Sequence, residues 1–126
     1  MIKAIKTDKA PLPVGPYNQA IQAGNTLYVS GQIPLDPIKK EMVTDSIKSQ
    51  TIQVMDNIKA ILEEAGMDFN NVVKVSIFLT DMGNFSEVND IYKTYFTTYF
   101  PARETIQVGK LPLNADVEIS LIAVKV

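Results

Sequence analysis

Two charged residues stand out by type and by company in the stretch FPARETIQVGKLPLNADVEIS, residues 100–120. Arg103 follows a Pro-Ala pair just past a helical pattern, and Glu118 interrupts an otherwise apolar strand of Val, Ile and Leu. A guanidinium is planar, permanently charged and able to donate two parallel N–H bonds, which makes arginine the natural reader of a carboxylate. A glutamate held among apolar neighbours can orient a water and accept its proton. Both residues also have plain structural readings. Arg103 is placed to cap the last carbonyls of the preceding helix, and Glu118 can guard an edge strand against aggregation.

The rest of the composition narrows the chemistry. The 126 residues include no Cys and no His. That excludes thiol nucleophiles, disulfides, Ser-His-Asp triads and nearly every zinc arrangement. No Asp-rich loop of the EF-hand type offers a calcium site. Twelve basic and fourteen acidic residues leave a net charge of −2, and the longest basic run is Lys39-Lys40. Such a balance gives no electrostatic support to nucleic-acid or anionic-membrane binding. The start MIKAIKTDKAPLP lacks the apolar core of a signal peptide, and no apolar run approaches the roughly 20 residues of a membrane span. The expectation is a soluble cytoplasmic protein with one domain over residues 1–126, long enough to bury its own core.

The elements that must position Arg103 and Glu118 follow from periodicity. Residues 2–6 suit a first strand, and the proline-rich segment 10–19 forbids regular structure. Two β-prone runs flank Gly24-Asn25, a dipeptide suited to a two-residue hairpin turn. A helix is predicted over 46–65, with Ile47, Thr51, Val54, Met55, Ile58, Ile61, Leu62 and Ala65 on one stripe. Ser46 or its neighbours can cap its start, and Gly66 can end it. A strand follows over 72–80, then a helix over 85–99, opened by an Asn84–Glu87 capping box and stopped by Pro101. Strands over 104–108 and 117–124 complete the order β-β-β-α-β-α-β-β. This is an α+β fold, a single sheet with two helices packed on one face.

Strand parity places Arg103, Thr105 and Gln107 on one face and Ile106 and Val108 on the other. In the last strand, Val117, Ile119, Leu121 and Ala123 oppose Glu118, Ser120, Ile122 and Val124. If the helices cover the apolar sets, Arg103 and Glu118 share the mixed, uncovered face. A mixed face without a third layer points to a subunit interface.

The segments GPYNQA, LYVSGQIP, VNDIY and FPARETIQVGKLPLNADVEISLIAV, in this order over about residues 11–124, resemble the RidA/YjgF family of reactive-intermediate deaminases. The resemblance implies a chorismate-mutase-like fold, assembly as a homotrimer, and three clefts between subunits. It implies hydrolysis of 2-imino acids and their enamine tautomers to 2-oxo acids and ammonia, without metal or organic cofactor. The substrates of the family come from pyridoxal-phosphate enzymes such as serine and threonine dehydratases. By position, Arg103 matches the arginine that binds the substrate carboxylate, and Glu118 the glutamate that positions the attacking water. Tyr17, Ser30 and Gly31 match residues lining the cleft, and Asn89 matches an asparagine beside it. Glu104 departs from the small residue that commonly follows the arginine, and Thr105 from the common Cys, though its backbone N–H stays available to a ligand. The resemblance leaves two further readings open: a non-catalytic trimer that binds 2-oxo acids, and an RNA-cleaving or translation-inhibiting protein.

Overall fold

The computed structural model describes residues 1–126. Six strands form the main sheet: β1 (Ile2–Ile5), β2 (Ala20–Ala23), β3 (Thr26–Gln32), β6 (Val72–Leu79), β7 (Ala102–Gln107) and β8 (Val117–Val124), in the order β1-β2-β3-β8-β6-β7. Two short strands, β4 (Leu35–Asp36) and β5 (Glu41–Met42), pair separately in the loop that follows β3. Sequence pattern does not announce this extra hairpin, because its two-residue strands lie in a loop bearing Pro34 and Pro37. All pairings in the main sheet are antiparallel except β6 with β7. A parallel neighbour requires a crossover, and the second helix supplies it.

The first helix, α1 (Ile47–Glu64), starts where the Ser46 side chain accepts from the Ser49 N–H, and Gly66 follows its end at φ 72°. Its stripe of Val54, Met55, Ile58, Ile61 and Leu62 is fully buried against the sheet face carrying Leu27, Val75, Ile77, Val117 and Ile119. Burying a side chain of that size contributes about 1.5–3 kcal/mol, so this one stripe commits the sheet to a covered and an uncovered face. The second helix, α2 (Phe85–Tyr92), joins the same core through Val88 and Tyr92. Both helices therefore lie on one face, as the periodicity predicts.

α2 is shorter than the predicted span of 85–99. Beyond Tyr92 the chain tightens into a 3₁₀ turn, Lys93–Tyr95, and is extended at Phe96. The Thr94 hydroxyl takes the Ile91 carbonyl at 2.7 Å, a local bond that competes with helix continuation. The extended backbone lets Phe96 pack its ring against Phe69, Tyr92 and Phe100. The Asn84 capping box does not form either. Asn84 has helical backbone and makes no side-chain cap, because a 3₁₀ turn over Met82–Asn84, capped by Asp81, runs directly into α2.

β7 presents the face opposite to the one expected. Its register sets Arg103 beside Val75, Thr105 beside Ile77 and Gln107 beside Leu79. Val75, Ile77 and Leu79 are wholly buried on the helix face. Arg103 and Thr105 thus lie on the covered side, while Ile106 stands on the open side and is 47% exposed. Glu118 pairs with Phe78 on β6 and does face the open side. Arg103 and Glu118 are therefore on opposite faces of one sheet, not together. The alternation along β7 is the expected one but its covered face is the opposite one, because β7 is an edge strand whose covered side is set by the crossover helix.

Candidate active site

The residues of interest fall into two groups. The first is built by α2 and β7. Arg103 donates through Nη1 to the Asn89 Oδ1 at 2.7 Å. Its guanidinium carbon lies 5.0 Å from the Tyr92 ring centre and 5.5 Å from that of Phe85. The cation thus sits between two π faces and one neutral carbonyl, with no carboxylate paired to it. Such contacts hold the side chain in place without neutralising it. The helix-cap reading of Arg103 fails, since its hydrogen bond goes to an α2 side chain and not to terminal carbonyls.

Arg103 opens onto a cleft of about 310 Å³ lined also by Asn89, Tyr92, Lys93, Phe100 and Pro101, none of them acidic. Glu104, next in sequence, turns to the other face, where it pairs with Lys74 at 2.8 Å and accepts from Ser76. That pairing holds its carboxyl below the usual range. The Val108 N–H donates to the Leu79 carbonyl on β6 at 2.8 Å. By the alternation of a strand, the Thr105 N–H points to the free edge of the sheet, beside the arginine. The Thr105 hydroxyl is buried without a hydrogen-bond partner.

The second group is built by β3, β8 and the proline-rich loop. Val29 pairs with Leu121 but Gln32 with Ile119, so β3 uses one more residue than β8 across this interval. The surplus is a bulge at Ser30-Gly31. Bulges bend a strand and re-aim side chains, and they recur beside active sites. Glu118 lies directly over Gly31: a Cβ there would stand 2.5 Å from the carboxylate Oε2. The Glu118 carboxylate makes no side-chain hydrogen bond or ion pair within the chain. Burial pushes its carboxyl above the ordinary value. The Ser30 hydroxyl donates to the Asn18 carbonyl at 2.6 Å, tying the bulge to the loop that bears Tyr17. Tyr17 lines a pocket with Gly31 and Leu113.

Sequence reasoning missed the residues that hold these groups. Gln19 is 2% exposed and binds the Thr7 N–H and the carbonyls of Thr7, Ala10 and Pro11, fixing the loop ahead of Tyr17. Phe85 and Tyr92 read as members of an apolar helical stripe. Their spacing, seven residues apart, was the available signal that both could face the same partner on β7.

A profile of the family described as Endoribonuclease L-PSP matches residues 7–125. The chain belongs to the RidA/YjgF family. Among its relatives, a RutC family protein of Pyrococcus horikoshii is 50% identical over 99% of both chains. A mouse protein named 2-iminobutanoate/2-iminopropanoate deaminase is 48% identical over 98% of this chain and 91% of that one. The crystal structure of E. coli TdcF with bound serine is 35% identical and superposes with a TM-score of 0.95, covering 98% of this chain and 99% of that one. The TdcF structure thus shares the RidA/YjgF fold, whose two helices on a mixed sheet are those described above.

Proposed function

We propose that this chain hydrolyses 2-imino acids of the 2-iminopropanoate and 2-iminobutanoate type to 2-oxo acids and ammonia. The observation that carries the reading is the charge state of Arg103: a guanidinium held by Asn89, Phe85 and Tyr92, without a counter-ion, in a cleft free of acids. A planar carboxylate is the natural complement. The names of the mouse and bovine relatives support the same substrate class.

Because the two residue groups lie on opposite faces of the sheet, one copy of the chain supplies two half-sites. A closed ring of three copies brings the Arg103 half of one subunit against the Glu118 half of the next. The open face, with Tyr28 and Ile106 half exposed among Ser76, Ser120 and Glu118, is the surface such a ring covers.

The chemistry then needs little. Arg103 and the Thr105 N–H hold the substrate carboxylate, which fixes the position of the C=N carbon. Glu118 takes a proton from a water as its oxygen bonds to that carbon. The same proton passes to the carbinolamine nitrogen, and the C–N bond breaks as the hydroxyl oxygen forms the carbonyl; Glu118 takes the hydroxyl proton and hands it to the departing ammonia, which leaves as ammonium. A protonated imine and one water yield one 2-oxo acid and one ammonium ion, so atoms and charge balance. Tyr17, Ser30 and Gly31 wall the water's side of the cleft.

The test couples a serine or threonine dehydratase to this protein and follows imine decay. The expected result is decay faster than in buffer alone. Oxo-acid binding without any acceleration would leave a binding protein in place of an enzyme.

A further inference from the structure

The turn ahead of β8 is built on an unfavourable choice of residue. Leu113 and Asn114 both occupy the left-handed region, at φ 53° and 57°, and the Ala115 N–H closes the turn on the Pro112 carbonyl at 3.1 Å. Asn tolerates this conformation, and Gly more so. Leu does not, since its Cβ crowds the neighbouring carbonyl. A leucine in such a place is ordinarily compensated by burial, yet Leu113 is 59% exposed. Neither turn propensity nor core packing accounts for it.

What the turn does achieve is placement. The Leu113 side chain lines the pocket shared with Tyr17 and Gly31, the glycine on which the Glu118 carboxylate rests. The other walls on that side, Pro11, Leu12 and Val14, are apolar as well. Backbone strain of this kind gathers at ligand sites, where the surrounding structure holds it. We propose that Leu113 is a specificity-determining residue that receives the alkyl side chain of the substrate and favours short apolar chains. The inference rests on the deaminase reading. If Glu118 delivers water to the C=N carbon, the alkyl group on that carbon must lie within reach of the wall beside Glu118.

The experiment is calorimetric titration of pyruvate and 2-oxobutanoate into the assembled wild type, Leu113→Gly and Leu113→Asn. Both replacements accept a left-handed backbone, so thermal midpoints at or above that of wild type are expected. Wild type should prefer 2-oxobutanoate by about four-fold, the worth of one methylene brought out of water. The two variants should bind the two acids equally, the four-fold preference for 2-oxobutanoate lost, with oligomeric mass unchanged. An undiminished preference in variants that still bind pyruvate overturns the role of Leu113 and leaves the deaminase reading standing. Loss of assembly in either variant also overturns it, making Leu113 an interface residue. Failure of wild type to bind either acid removes the deaminase reading itself.

Discussion

The Glu118 carboxylate lies against the Cα of Gly31, so close that a Cβ would meet Oε2 at 2.5 Å and Cδ at 2.7 Å. Gly31 is not among the residues of positive φ. The glycine is required here by the approach of a side chain, not by backbone conformation. Gly31→Ala should therefore fold normally and push Glu118 aside. Displacing a reacting group by about 1 Å can cost on the order of 10²-fold in rate. Imine hydrolysis should drop by that order while pyruvate affinity holds, as read from coupled kinetics and titration. Full activity in the variant would show that the position of Glu118 over Gly31 is irrelevant to the reaction.

Arg103→Lys keeps a positive charge but loses the planar fork and its fit between Phe85 and Tyr92. Pyruvate binding should weaken in this variant. Arg103→Ala should cost more, about 1.5–3 kcal/mol for a hydrogen bond to a charged group. Unaltered affinity in both variants would reduce Arg103 to a packing element under α2.

How far the sequence discloses this arrangement depends on which contacts decide each feature. The strict alternation in β8 is legible because every other residue, Val117 to Ala123, enters one core. The Ser46 cap, Gly66 and the Gly24-Asn25 turn are legible because they are local. Arg103 is not, since its face depends on where the β6–β7 crossover carries α2, a long-range matter. The bulge at Ser30-Gly31 is equally hidden, because it exists only relative to the register of β8, some ninety residues away. The family resemblance named Arg103 and Glu118, and the structure shows that one chain holds them apart.

Burial raises the Glu118 carboxyl above its ordinary value of 4.5. Between the ordinary and raised values the folded chain keeps a proton that the unfolded chain has released. The stability this group contributes is therefore present below the ordinary value and is lost as pH rises through the raised one. Glu118→Gln cannot titrate and lacks that loss. Urea midpoints from about pH 4 to about pH 7 should move in favour of the variant relative to wild type. A wild type that gains stability over the variant across this range would mean that the carboxylate is stabilised by a partner, contrary to its unpaired setting.

The proposed site is shared between two copies of the chain, and hybrid assemblies test that most directly. Arg103→Ala and Glu118→Gln should each be inactive alone, and each should sediment at three times the 13.9 kDa subunit mass. In a closed three-membered ring, each site takes Arg103 from one subunit and Glu118 from the next. Equal co-expression of the two variants rebuilds an intact site wherever the right pair of neighbours meets. Random assembly makes that about one site in four. The expected result is recovery of roughly a quarter of wild-type imine hydrolysis from two inactive parents. Hybrid trimers that stay as inactive as either parent would contradict a site shared between subunits.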